Sequence, residues 1–191
     1  MTNRILVIDN YDSFTYNLVH LVEKIKHQKI DVVYNDQIDL DAVAHYQKII
    51  LSPGPGIPSE AGKMMDIIQT YSPSKSILGV CLGHQGIGQS MGGKLLNLEQ
   101  VFHGVATPVH LYNTQSGLFK GLPNQAMVGR YHSWVISAES FPEILEVTAT
   151  DNQGVIMGVK HKQFDVQGIQ FHPESILTPS GEQIVRNWLA E

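Results

Sequence analysis

In the first half of this 191-residue chain, short β-branched and aliphatic runs alternate with segments of helical period. Strands joined by helices come to lie parallel and side by side, so this order leaves an α/β architecture as the fold to expect. Arg4 to Ile8 reads as the first strand. Asp12 and Ser13 are cap-type residues, and Phe14, Leu18, Leu21, Val22 and Ile25 then recur at the three-and-four spacing of one buried helix face. Ile30 to Tyr34 reads as a second strand, Asp39 to His45 as a short helix, and Lys48 to Ser52 as a third strand stopped by Pro53. A helix over 59–71, a strand from Ser76 to Val80, and a helix from His84 to Met91 ending at Gly92-Gly93 complete a βαβαβαβα series.

After residue 94 the texture changes to short strand-like runs: Lys94 to Leu98, Thr107 to Leu111, Ala126 to Tyr131, Leu145 to Thr150, Val155 to Lys160 and Val166 to Gln170. Turn chemistry such as Asp151-Asn152-Gln153-Gly154 separates them, so the C-terminal half is expected to carry antiparallel hairpins. A last helix runs from Glu182 to Leu189. The expected fold is an open, mainly parallel sheet with flanking helices. With no linker or repeat in view, residues 1–191 are expected to form one domain.

The formal charge of −5, from 13 Lys+Arg against 18 Asp+Glu, gives no electrostatic footprint for nucleic acid or an anionic membrane. No apolar run approaches the length of a membrane span. Met1-Thr2-Asn3-Arg4-Ile5 lacks the basic leader and cleavage site of a secretory signal, so a cytoplasmic protein is expected. The single cysteine, Cys81, excludes an internal disulfide and any multi-cysteine metal site, and is therefore either a buried filler or a reactive thiol.

Its surroundings favour reactivity. In Gly79-Val80-Cys81-Leu82-Gly83-His84-Gln85, glycines stand two residues either side of the sulfur, between a strand and a helix. This is the thiol counterpart of the nucleophile elbow, a sharp turn that lifts a nucleophile above the carboxyl edge of a sheet. The helix N-terminus behind it favours thiolate and offers the Leu82 N–H to a developing oxyanion. A thiol nucleophile needs a base. Among nine histidines the strongest candidate is His172 in Phe171-His172-Pro173-Glu174, because residues two apart in extended backbone share a face and Glu174 can then orient the ring. In Ser52-Pro53-Gly54-Pro55-Gly56, beyond the third strand, both prolines lack an N–H, which leaves Gly54 and Gly56 as donors. The ends of strands are where open α/β sheets bind ligands.

Two further clusters are dense in polar and aromatic groups. Asp9 to Asn17 reads on physical grounds alone as a helix cap with a hydrophobic staple, and Gly129 to Trp134 as a partly exposed hairpin. No phosphate-binding glycine loop occurs, and His84, His103, His132 and His161 show no metal-ligand spacing, so no bound metal is expected.

Taken in order, the Ser52-to-Gly56, Gly79-to-Gln85 and Phe171-to-Glu174 motifs resemble those of the class I (triad) glutamine amidotransferases over essentially the whole chain. Asp9 to Asn17 further resembles the opening of the chorismate-linked branch, the glutaminase subunits of anthranilate synthase and aminodeoxychorismate synthase. The resemblance implies a flavodoxin-like fold in which Cys81 attacks the side-chain amide of glutamine while His172, oriented by Glu174, protonates departing ammonia. It implies an oxyanion hole from the amides of Gly54 and Leu82. Gly54, Pro55, Gly56, Gln85, Ser133 and Trp134 would hold the glutamine. Ammonia would pass to a chorismate-binding synthase subunit (anthranilate synthase component I or aminodeoxychorismate synthase component I), in tryptophan biosynthesis, folate biosynthesis or both. That partner would carry Mg²⁺, with no cofactor in this chain.

One position departs from the family's pattern. After Phe102-His103-Gly104 relatives usually carry a basic residue, where this chain has Val105, in a loop that the resemblance places near the synthase. Two other readings compete. A stand-alone γ-glutamyl hydrolase or cysteine peptidase of the same architecture would need no partner, and a non-catalytic module with Cys81 as a redox sensor would need no His172.

Overall fold

The computed structural model describes residues 4–190. Met1 to Asn3, where the absence of a leader was expected, lie outside the described residues. β1 (Ile5–Asp9), β2 (Asp31–Tyr34), β3 (Lys48–Leu51) and β4 (Ser76–Val80) are parallel and lie in the order β2-β1-β3-β4. Between them run α1 (Thr15–Lys26), α2 (Leu40–Val43) and α3 (Met64–Tyr71), and α4 (Leu82–Ser90) follows β4. The expected helix over 59–71 is broken. Pro58–Glu60 form a single 3₁₀ turn, and Gly62 then takes a left-handed φ of 52° so close to Asn35 that a Cβ would lie 2.7 Å from its Oδ1. α4 begins two residues earlier than periodicity suggests, directly after Cys81.

In the second half, β5 (Leu95–Asn97) pairs with β8 (Trp134–Ile136), a strand that the sequence pattern did not reveal. Three residues are too few for an alternation to register. β6 (Val105–Leu111), β7 (Gln125–Arg130), β9 (Leu145–Asp151) and β10 (Ile156–His161) form antiparallel pairs, as expected for hairpin-rich sequence. β11 (Val166–Ile169) does not belong to them alone: it is antiparallel to β10 but parallel to β4. It thereby fuses the two halves into one nine-stranded sheet, β2-β1-β3-β4-β11-β10-β9-β6-β7. α5 (Gly181–Ala190) ends the described chain.

Both faces of the parallel half are covered, which is why its strands read as continuous apolar runs. Along β1, Ile5 and Val7 join Leu18, Val22, Ile184 and Trp188 beneath α1 and α5, while Leu6 and Ile8 join Met64, Ile67, Ile68 and Ile87 beneath α3 and α4. This leaves the carboxyl ends of β1, β3, β4 and β11 on one edge of the sheet, where the sequence motifs converge.

Candidate active site

Cys81 follows β4 directly and has φ 51° and ψ −99°, a backbone region that non-glycine residues seldom occupy. The neighbouring glycines explain how so tight a turn closes. A Cβ on Gly79 would stand 2.5 Å from the carbonyl carbon of Gly83, and a Cβ on Gly83 would stand 2.5 Å from the carbonyl oxygen of Leu51. Strand and helix therefore touch backbone to backbone beneath the sulfur. Leu82 is the first residue of α4, and first-turn amides have no partner within their own helix.

His172 and Glu174 meet, but not by the alternation of an extended strand. β11 stops at Ile169, and a turn bonded from the Ser175 N–H to the His172 carbonyl brings the two side chains together around Pro173. Glu174 Oε1 lies 2.6 Å from His172 Nδ1, and both side chains are buried. The His172 backbone is pinned as well: its N–H donates to the Gly129 carbonyl, and its carbonyl accepts from Thr178 Oγ1 at 2.6 Å. Nε2 is buried with no hydrogen bond of standard geometry among the described residues. Burial opposes a charge on this ring, but Cys81 and Glu174 outweigh it and raise His172 from 6.5 to about 10, so the ring carries its proton at neutral pH.

Gly54, Pro55, Gly56, Cys81, Gln85, Ser133 and Trp134 line one cavity of about 250 Å³. The residues expected to hold glutamine thus gather around Cys81 from two distant segments and from α4 itself. Tyr131 and His132, noted in the sequence only as part of the Gly129-to-Trp134 cluster and given no role at the site, complete the lining. The loop carrying Gly54 is held by Asn10, whose N–H donates to Ser52 Oγ and whose Nδ2 donates to the Ser52 carbonyl. Gly54 packs so tightly there that a Cβ would lie 2.6 Å from the Asn10 Cβ.

A second cavity, of about 510 Å³, shares Gly54, Pro55, Cys81 and Tyr131 with the first and is lined by His172 as well. Tyr11, Asp12, Ser13 and Phe14 form one wall, so the Asp9-to-Asn17 stretch does more than cap a helix. Asp12, expected as a cap, lies two residues before the N-cap position Phe14: its carboxylate accepts from the Phe14 N–H, and α1 starts at Thr15. Phe14 and Tyr131 pack on the His172 ring, with centroids 6.5 Å and 4.8 Å away. His103 borders this cavity, and Val105, exposed, opens β6.

Gln170 is the residue nearest the chemistry that sequence reasoning missed. Its Nε2 is 3.6 Å from Cys81 Sγ, and its Oε1 accepts from Gln85 Nε2. Its position two residues before His172 was the available signal. His84 points elsewhere, buried against Gly168 and pushed down to about 3 by burial. Among the described residues no group of three or more His, Cys, Asp or Glu is placed to hold a metal ion.

The chain is similar to known proteins over nearly its whole length. The family profile of the class I glutamine amidotransferases matches residues 6–191. The anthranilate synthase component 2 of Pseudomonas aeruginosa is 45% identical over 98% of this chain and 95% of its own length. The aminodeoxychorismate synthase component 2 of Escherichia coli is also 45% identical, over 97% of this chain and 98% of its own. A crystal structure assigned to a GMP synthase subunit from Thermoplasma acidophilum superposes with a TM-score of 0.85 at 26% identity, covering 98% of this chain and 92% of the other.

Proposed function

This chain belongs to the class I glutamine amidotransferases, and on that premise we propose that it is the glutaminase subunit of a chorismate-using synthase. Residues 1–191 act as a single amidotransferase domain. The observation that carries the reading is the convergence on Cys81: a strained strand-to-helix turn, an imidazole already paired to a carboxylate, and a cavity sized for a small metabolite.

Cys81 Sγ attacks the side-chain carbonyl carbon of glutamine. The resulting oxyanion lies against the amides of Gly54 and Leu82, and each such donor contributes roughly 100- to 1000-fold in rate. The protonated His172 ring gives its proton to the departing nitrogen, and ammonia leaves a glutamyl thioester. Water, giving a proton to His172 as its oxygen bonds to the thioester carbonyl carbon, breaks the C–S bond, releases glutamate and returns the sulfur and the protonated ring to their starting state. Glu174 holds the ring in place through both steps. Gly54, Pro55, Gly56, Gln85, Ser133 and Trp134 hold the substrate. The second cavity, which meets the first at Cys81, supplies an exit for ammonia toward the synthase. The chain itself needs no cofactor; Mg²⁺ belongs to the synthase partner.

Matches at equal identity to an anthranilate and an aminodeoxychorismate component support either product, or both from one shared glutaminase. The test is ammonia release from glutamine by the purified chain, alone and with each candidate synthase. A large gain with one synthase names the product, and gains with both identify a shared glutaminase. Strong hydrolysis indifferent to either synthase would overturn this reading in favour of a free-standing hydrolase.

A further inference from the structure

A buried ion pair lies behind the substrate cavity. Arg130 Nη1 donates to Asp151 Oδ2 at 2.8 Å, and the two side chains are 2% and 6% exposed. The second oxygen of Asp151 is taken up by the N–H groups of Gln153 and Val155, and the guanidinium lies over the Phe102 ring at 3.6 Å. A pair so enclosed is costly to desolvate and is a poor source of stability by itself. Its remaining bond shows another use. Arg130 Nε donates to His132 Nε2 at 3.1 Å.

Arginine only donates, so His132 Nε2 must accept, and the ring proton must sit on Nδ1. Nδ1 then donates to the Trp134 carbonyl at 3.1 Å. That same carbonyl accepts from Gln85 Nε2 at 2.8 Å, which directs the Gln85 amide group toward Gln170 Oε1 and leaves the Gln170 amide group facing Cys81 Sγ. The Trp134 carbonyl thus accepts from two sides, from His132 and from Gln85, and links the guanidinium to the amides beside the sulfur. Four members of this chain of contacts, Cys81, Gln85, His132 and Trp134, line the cavity around the sulfur.

We infer that the Arg130–Asp151 pair is a positioning device for the glutaminase reaction, fixing the His132 tautomer and through it the Tyr131-to-Trp134 wall of the substrate cavity. The inference rests on the glutaminase reading above. Arg130 and Asp151 touch no substrate; they act through His132. The burial of the ring and the adjacent guanidinium lower His132 to about 3, so it stays a neutral donor–acceptor pair at working pH.

The decisive variant is Arg130→Lys in the complex with the synthase. Lysine keeps a cation beside Asp151 but lacks the planar fork that reaches Asp151 and His132 together. The expected result is a rise in the KM for glutamine of about ten- to a hundredfold with kcat within about twofold, because Cys81 and His172 keep their own anchors in the elbow and on Glu174 while the wall is misplaced. Alkylation of Cys81 by iodoacetamide, which needs no glutamine pocket, is expected to proceed at the wild-type rate. A folded variant with unchanged KM, or with a loss in kcat alone, overturns the inference. Ring ¹⁵N shifts of His132 in the unmodified protein add a reading that depends neither on the variant folding nor on catalysis. Protonated Nδ1 with bare Nε2 is expected, and the opposite tautomer or a charged ring overturns the inference. Wild-type hydrolysis of glutamine separates failure of this inference from failure of the glutaminase reading.

Discussion

Glu174 Oε1 stands 2.6 Å from Nδ1 of His172, the two residues separated by a proline at the second position of a turn. The short bond fixes the ring so that Nε2 faces the Cys81 side of the site, and the carboxylate helps hold the ring protonated. Changing Glu174 to Gln keeps the size but exchanges an acceptor-only group for one that can donate and favour the wrong tautomer. Glu174→Gln is expected to lower kcat roughly 10³- to 10⁴-fold, against about 10⁶ for loss of a nucleophile. Steady-state glutamine hydrolysis reads this directly, and equal, complete losses would contradict an orienting role.

Cys81→Ser separates the two halves of the proposed reaction. Glutamine-dependent synthesis by the complex is expected to vanish while synthesis from supplied ammonium salt persists, because the synthase chemistry does not use this thiol. Loss of both activities in an assembled complex would count against that division.

The glycines at the elbow give a stability prediction. A Cβ on Gly83 would stand 2.5 Å from the Leu51 carbonyl oxygen, a backbone atom of the central sheet that cannot rotate away. Gly83→Ala is expected to destabilise the protein by about 3 kcal/mol or more, even though alanine is the better helix former. Urea denaturation gives the comparison, and a variant as stable as wild type would mean that α4 is free to shift off β3.

The raised His172 also ties stability to pH. Its affinity for the proton is higher in the folded chain, at about 10 against the ordinary 6.5, so its contribution is fully present below pH 6.5 and is lost as pH rises toward 10. The difference in melting temperature between wild type and His172→Gln is expected to narrow across that window. A difference that stays constant from pH 6.5 to 10 would show that the ring's charge does not contribute.

Local pattern was enough for the parallel half of the sheet and for the elbow. Apolar runs, helical spacing and glycines placed two residues either side of Cys81 are short-range features, and the physics they report is short-range too. Cys81, His172 and Glu174 drew attention for the same reason, since each sits in a short motif, but the extended alternation expected for His172 and Glu174 is a turn around Pro173 in the structure. The boundary errors share one cause: the break at Gly62 and the early start of α4 are set by contacts with Asn35 and Leu51, far away in sequence.

What the chain order could not supply is which side chains face one another across the sheet. β11 reads as one more hairpin strand until it docks parallel to β4, and that docking brings His172 and Gln170 to Cys81. Likewise Arg130 and Asp151 stand in separate strands with nothing in the sequence to join them, and only their burial side by side makes the pairing and, through Arg130 Nε, the His132 tautomer evident. Residue order alone was sufficient for the fold class and the elbow. Packing in three dimensions set the cavity, the partners of its wall and the protonation of its histidines, because those depend on distances and desolvation that arise only when distant segments come together.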